Sequence, residues 1–115
     1  MPVTRGNLSA SLARLRAVYY GLIAEVDHQL GRILTVLARR GELERTLVLF
    51  TSDHGEMLGD HWMLGKAGFF PQAFHVPLLA RLPDGARGHR VTALTEHVDL
   101  MPTVLTALGL PVPRQ

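Results

Sequence analysis

From Leu8 to Arg40 the apolar residues Leu8, Leu12, Leu15, Val18, Leu22, Val26, Leu30, Ile33 and Leu37 recur in steps of three or four. That spacing predicts one long amphipathic helix, with Gly21 as the point where a bend is tolerated. Asn7 or Ser9 can cap its start, while Arg39, Arg40 and Gly41 supply a basic last turn and a left-handed stop. In a chain of only 115 residues this one element takes a large share of the sequence, and its apolar stripe needs cover.

Beyond Gly41 the pattern changes. Thr46 to Ser52 is a short apolar run rich in β-formers and without polar alternation. Such a run predicts a strand covered on both faces, as in a parallel sheet. Val76 to Leu82 predicts a second buried strand with Pro77 near its start, and Val91 to Thr95 a short third one. Asp99 is expected to cap a last helix running to Leu108, with Pro102 in its first turn and Gly109 as its stop. A helix feeding a buried strand points to α/β layering.

Between the two longer strands lies Asp53 to Phe74, where glycine recurs at 55, 59, 65 and 68 among Asp, His, Glu, Trp and Lys. No period fits it, and a loop of this length is usually functional. Asp53 and His54 stand where a buried strand ends, the place ligands occupy in open α/β sheets. An adjacent carboxylate and imidazole can reach one divalent cation if the backbone turns sharply after them, a turn that Gly55 permits. The plainer readings are a carboxylate capping loop backbone and a half-buried packing histidine. Lys66, His61 and His75 are potential donors to an anion. Against that stand a solvated surface lysine and a satisfied core histidine. Asp27 and His28 are read as surface or packing groups and Asp99 as a helix cap, while Glu96-His97 is given no role and left out of the site.

Composition narrows the classes. The formal charge is +2, and no basic run is longer than Arg39-Arg40, which gives nucleic-acid binding no support. Without cysteine there is neither a disulfide nor a thiolate metal site. No segment has the length and apolarity of a membrane span or of a secretory leader. On that ground alone the location expected of this chain is cytoplasmic, its parent's compartment being undetermined.

Ser52-Asp53-His54-Gly55-Glu56, Leu58-Gly59-Asp60-His61, Lys66 and His75-Val76-Pro77-Leu78 succeed one another as in sulfatases. The flanks agree: Tyr19-Tyr20-Gly21 with Glu25-Val26-Asp27 and Gly31 on one side, and Val98 to Leu105 with Leu108-Gly109-Leu110 on the other. Over residues 17 to 113 the chain resembles the sulfatase family of the alkaline-phosphatase-like superfamily. The nearest branch holds iduronate-type and choline-type sulfatases and phosphonate monoester hydrolases.

The resemblance implies a partial alkaline-phosphatase-like α/β/α sandwich, with residues 1 to 115 forming the C-terminal part of a catalytic domain. It implies that Asp53 and His54 bind one divalent cation, calcium or manganese. It also implies that Lys66 contacts the oxygens of a small-molecule sulfate or phosphonate ester, with His61 as a catalytic and His75 as a substrate-binding neighbour. The family's nucleophile is a formylglycine made within a Cys/Ser-x-Pro-x-Arg motif. This chain has no cysteine, and Ser9, Ser11 and Ser52 stand in no such motif. The expectation is therefore a fragment of a sulfate monoester hydrolase, inactive alone and needing the missing N-terminal part of its domain. The alternatives are a fragment of a phosphonate monoester or phosphodiester hydrolase, or a non-catalytic remnant that binds a metal or an anion. Neither nucleic acid nor a membrane is an expected partner.

Overall fold

The computed structural model describes residues 5–83, 85 and 87–113. Helices and strands are mixed, as the α/β reading requires. Helix α1 spans Arg5–Arg39, strand β1 Val48–Thr51, helix α2 Pro71–Phe74, strand β2 Leu78–Arg81 and helix α3 Leu100–Ala107. Short 3-10 turns occupy Leu43–Arg45, Asp60–Trp62 and His97–Asp99. Among the described residues no helix is long and apolar enough to cross a membrane. The chain divides into two compact units: one is α1 with His54–Val76, the other Glu44–Asp53 with the chain from Pro77 onward.

In the first unit α1 runs unbroken through Gly21. Asn7 and Ser9, the expected caps, lie within the helix as described from Arg5. Its end is the one expected. Gly41 sits at φ 67°, its N–H donates to the Ala38 carbonyl at 3.0 Å, and the Glu42 N–H donates to Leu37 at 2.9 Å. These two bonds satisfy carbonyls that the helix leaves open, and the left-handed residue they require is cheap only as glycine.

The segment Asp53 to Phe74 has more structure than its composition predicts, because local bonds organise it where no periodicity does. It contains a 3-10 turn and α2, and its buried residues are Met57, fully buried, and Ala73 of α2, 2% exposed. The segment docks on the first turns of α1. The Arg16 guanidinium donates from Nε to the Leu58 carbonyl at 2.8 Å and from Nη2 to Asp60 Oδ1 at 3.1 Å. Leu12 packs so closely beneath Gly59 that a Cβ there would stand 2.5 Å from its side chain. The half-buried residues of α1 accordingly include Leu12, Arg16 and Tyr19. The stripe read from the sequence is largely uncovered: Val18, Leu22, Val26 and Ile33 are all more than half exposed.

In the second unit β1 and β2 pair antiparallel, with Val48 opposite Arg81 and Thr51 opposite Leu78. The expected parallel pairing is thus corrected. An unbroken apolar run reports that both faces want cover, but strand direction is set by the partner and the connection. Val91 to Thr95 forms no strand, and Leu94 is fully exposed there, since β-propensity acts only where a partner strand is present. Glu44 pairs with both Arg81 at 2.9 Å and Arg87 at 2.6 Å. Helix α3 ends as predicted: Gly109 adopts φ 68°, its N–H donates to Thr106 at 3.0 Å, and the Leu110 N–H donates to Leu105 at 2.8 Å.

So much exposed apolar surface predicts that the isolated 115-residue polypeptide self-associates and melts without a cooperative transition. Light scattering after gel filtration, paired with a thermal melt, checks this. A monodisperse monomer with a sharp melt would count against it.

Candidate active site

Beyond β1 come Ser52 and Asp53, the latter exposed. The Ser52 carbonyl lies 2.7 Å from His97 Nε2. A carbonyl only accepts, so Nε2 carries the proton and donates. His97 opens a 3-10 turn that is closed by a reciprocal box. The Asp99 carboxylate accepts the Glu96 N–H at 2.8 Å, and the Glu96 side chain accepts the Asp99 N–H. The expected cap of α3 is corrected here, since the Asp99 side chain makes no capping bond to that helix. Its carboxylate serves the turn before it. The carbonyl of Asp99 instead accepts from Thr103 Oγ1 at 2.6 Å. His97, outside the site expected from sequence, therefore fixes the backbone that leads into Asp53. Glu96 and Asp99 stand at capping-box spacing, and that was the available signal.

Asp53 belongs to the second unit and His54 to the first. His54 Nδ1 lies 2.8 Å from the Gly55 carbonyl, which assigns the proton to Nδ1 and the basic lone pair of the neutral ring to Nε2. Gly55 is needed for a reason other than the one inferred from sequence. It is not among the glycines with positive φ. Its N–H donates to the Ala73 carbonyl at 2.8 Å, and a Cβ on it would be driven into the Gln72 carbonyl oxygen. Close backbone approach, and no special φ, excludes a side chain there.

Glu56 faces back across the loop. Its Oε1 accepts the Gly65 N–H at 2.6 Å and the Leu58 N–H at 3.2 Å, and the Met57 N–H donates to the Gly65 carbonyl at 3.0 Å. Gly65 itself is left-handed at φ 77°, and Lys66 comes next, exposed and in no ion pair with another described residue. His61 adopts φ 52° and Trp62 φ 62°, an unusual succession for residues bearing side chains. The His61 ring stacks on Phe70 with centroids 4.0 Å apart and planes 16° apart. Asp60 is held from the other side by Gln72 Nε2 at 3.1 Å. His75 is exposed, and its N–H closes α2 on the Pro71 carbonyl at 2.8 Å.

Of the residues singled out from sequence, His54, His61, Lys66 and His75 thus lie in one unit and Asp53 in the other. His61, Lys66 and His75 share no hydrogen bond or ion pair among the described residues. No three His, Cys, Asp or Glu side chains cluster as a metal site among the described residues.

The sulfatase family model matches residues 2–110. The chain belongs to the sulfatase family. Among similar proteins is the multifunctional alkaline phosphatase superfamily protein PehA of Trinickia caryophylli, 43% identical over 105 residues that cover 90% of this chain and 20% of the relative. Arylsulfatase K of Bos taurus is 37% identical over 103 residues, covering 90% of this chain and 19% of the relative. A solved phosphonate monoester hydrolase of Agrobacterium radiobacter is 53% identical with a TM-score of 0.82, covering 87% of this chain and 20% of that one. The likeness places these elements within the alkaline-phosphatase-like α/β fold of the sulfatase family. The chain spans about a fifth of the length of the relatives it matches.

Since a backbone carbonyl, and not a flexible side chain, blocks Gly55, the Gly55→Ala variant of the sulfatase-family protein that carries this segment should lose about 1–3 kcal/mol of stability. Denaturant unfolding of both forms measures it, and an unchanged midpoint would contradict the close approach.

Proposed function

We propose that this chain supplies part of the active site of a hydrolase that cleaves monoesters of a tetrahedral oxyanion, with a phosphonate monoester as the first substrate class. One observation carries the catalytic reading: the Gly55 carbonyl fixes the His54 ring through Nδ1, and His54 follows Asp53 directly in the sequence just past the end of β1. A carboxylate with an oriented imidazole fits a divalent cation as half of a coordination sphere. The other ligands come from outside this chain. An imidazole in the donor set favours manganese over calcium, which takes oxygen ligands almost exclusively. When bound, such an ion supplies Lewis-acid polarisation of an ester oxygen.

The remaining roles fall to side chains of this chain. Asp53 contributes the negative charge that holds the cation, and His54 a neutral nitrogen. The Lys66 ammonium, in no ion pair with another described residue, meets the non-bridging oxygens of the ester and balances the charge that builds there. His61, its ring plane set by Phe70, and His75 donate to the oxyanion or to the departing alcohol oxygen. The nucleophile comes from elsewhere in a longer protein, and the 115-residue chain alone does not turn over.

Preference for a phosphonate rests on the 53% identity to a phosphonate monoester hydrolase. The sulfate monoester stands second, supported by the 37% identity to arylsulfatase K. A protein that binds manganese but hydrolyses neither ester would instead be a non-catalytic remnant.

In the full-length protein, p-nitrophenyl phenylphosphonate should be hydrolysed with a higher kcat/KM than p-nitrophenyl sulfate. Lys66→Ala should lower kcat/KM on the order of 10²–10³-fold. Chelation should abolish turnover, and Asp53→Ala should lower the bound manganese. Full activity in Lys66→Ala, or after complete metal removal, would reject the assignment.

A further inference from the structure

We propose that Glu56 is a positioning residue that holds Lys66 in place relative to His54. The inference rests on the role proposed for Lys66 in ester binding. Glu56 is two residues from His54, and its Oε1 binds the N–H of Gly65, the residue before Lys66, at 2.6 Å. The same oxygen takes the Leu58 N–H at 3.2 Å, and Met57 N–H donates to Gly65 O at 3.0 Å. Gly65 is therefore held through both its donor and its acceptor. Its left-handed φ of 77° then sets the direction in which the chain enters Lys66. The near end of the clamp is equally fixed. Gly55 N–H is bound to Ala73 O at 2.8 Å, and Met57 is fully buried. No other described side chain bonds to the backbone of Gly65 or Lys66.

A lysine on a flexible four-carbon stem delivers its charge usefully only if its backbone is fixed, and a misplacement of about 1 Å at a reacting centre costs on the order of 10²-fold. Glu56 does not itself touch the ester. What it needs is an acceptor oxygen at the reach of a glutamate side chain. A negative charge is not required.

The test uses the full-length protein, with kcat and KM measured on p-nitrophenyl phenylphosphonate. Glu56→Gln keeps an acceptor at Oε1 and should stay within about threefold of wild type, while Glu56→Ala and Glu56→Asp should lose on the order of 10²-fold, mainly in kcat. The decisive measurement is the Lys66→Ala background, in which adding Glu56→Ala should cost less than about threefold. Manganese content should be unchanged in every variant. If Glu56→Ala does not accumulate as folded protein, Glu56→Asp carries the same comparison.

Multiplying losses in the double variant, wild-type activity in Glu56→Asp, or a Glu56→Gln variant as impaired as Glu56→Ala would each overturn the proposal. An unimpaired Lys66→Ala single variant is a separate failure. It removes the catalytic reading itself, and with it the ground for Glu56.

Discussion

The bond from Gly55 N–H to Ala73 carbonyl closes the segment on which the candidate chemistry of the first unit depends. It draws two backbones so near that no Cβ fits between them, and it brings Ala73 and Met57 into the small buried core of that unit. Everything between the two ends is then a closed loop, for which the entropy of closure has been met once. Inside it, Glu56 and Met57 bind Gly65, Asp60 is bound by Arg16 and Gln72, and His61 stacks on Phe70. A long glycine-rich segment thereby becomes a scaffold with defined positions for His61 and Lys66.

How far this was visible in the sequence depends on the range of the interaction. The stops of α1 and α3 were legible because a C-terminal glycine and the two carbonyls it frees lie within one turn of each other. The direction of the β1–β2 pairing was not, since Val48-Leu49-Phe50 would read the same beside a parallel neighbour. Gly55 is marked as special by its place in the sequence, but the reason is contact with Gln72, a residue far along the chain, and not φ. Glu56 belongs to a legible motif yet has no legible role, because its partners Leu58 and Gly65 become neighbours only once the loop has closed.

The two histidines at the motif are explained by the same reasoning about donors. In each unit a backbone carbonyl next to the Asp53-His54 step receives an imidazole N–H: Ser52 from His97 in one, Gly55 from His54 in the other. Carbonyls cannot donate, so each contact decides the tautomer of its ring. For His97 the consequence is a pinned strand end. For His54 it is a ring tied through Nδ1 to the backbone of the turn that follows it.

The anions themselves explain why one family segment resembles both arylsulfatases and phosphonate hydrolases. A sulfate monoester and a phosphonate monoester each carry a single negative charge on a tetrahedral centre. In the site proposed above, a cation on Asp53 and His54 and the ammonium of Lys66 would answer that shared charge without distinguishing them. The two differ at one equatorial position, an oxygen in the sulfate and a carbon in the phosphonate. A group that donates a hydrogen bond there rewards the sulfate and is left unpaired by the phosphonate, at a cost of about 1–3 kcal/mol if the site is dry. Selectivity must therefore come from whatever faces that position, and metal and lysine stay in common.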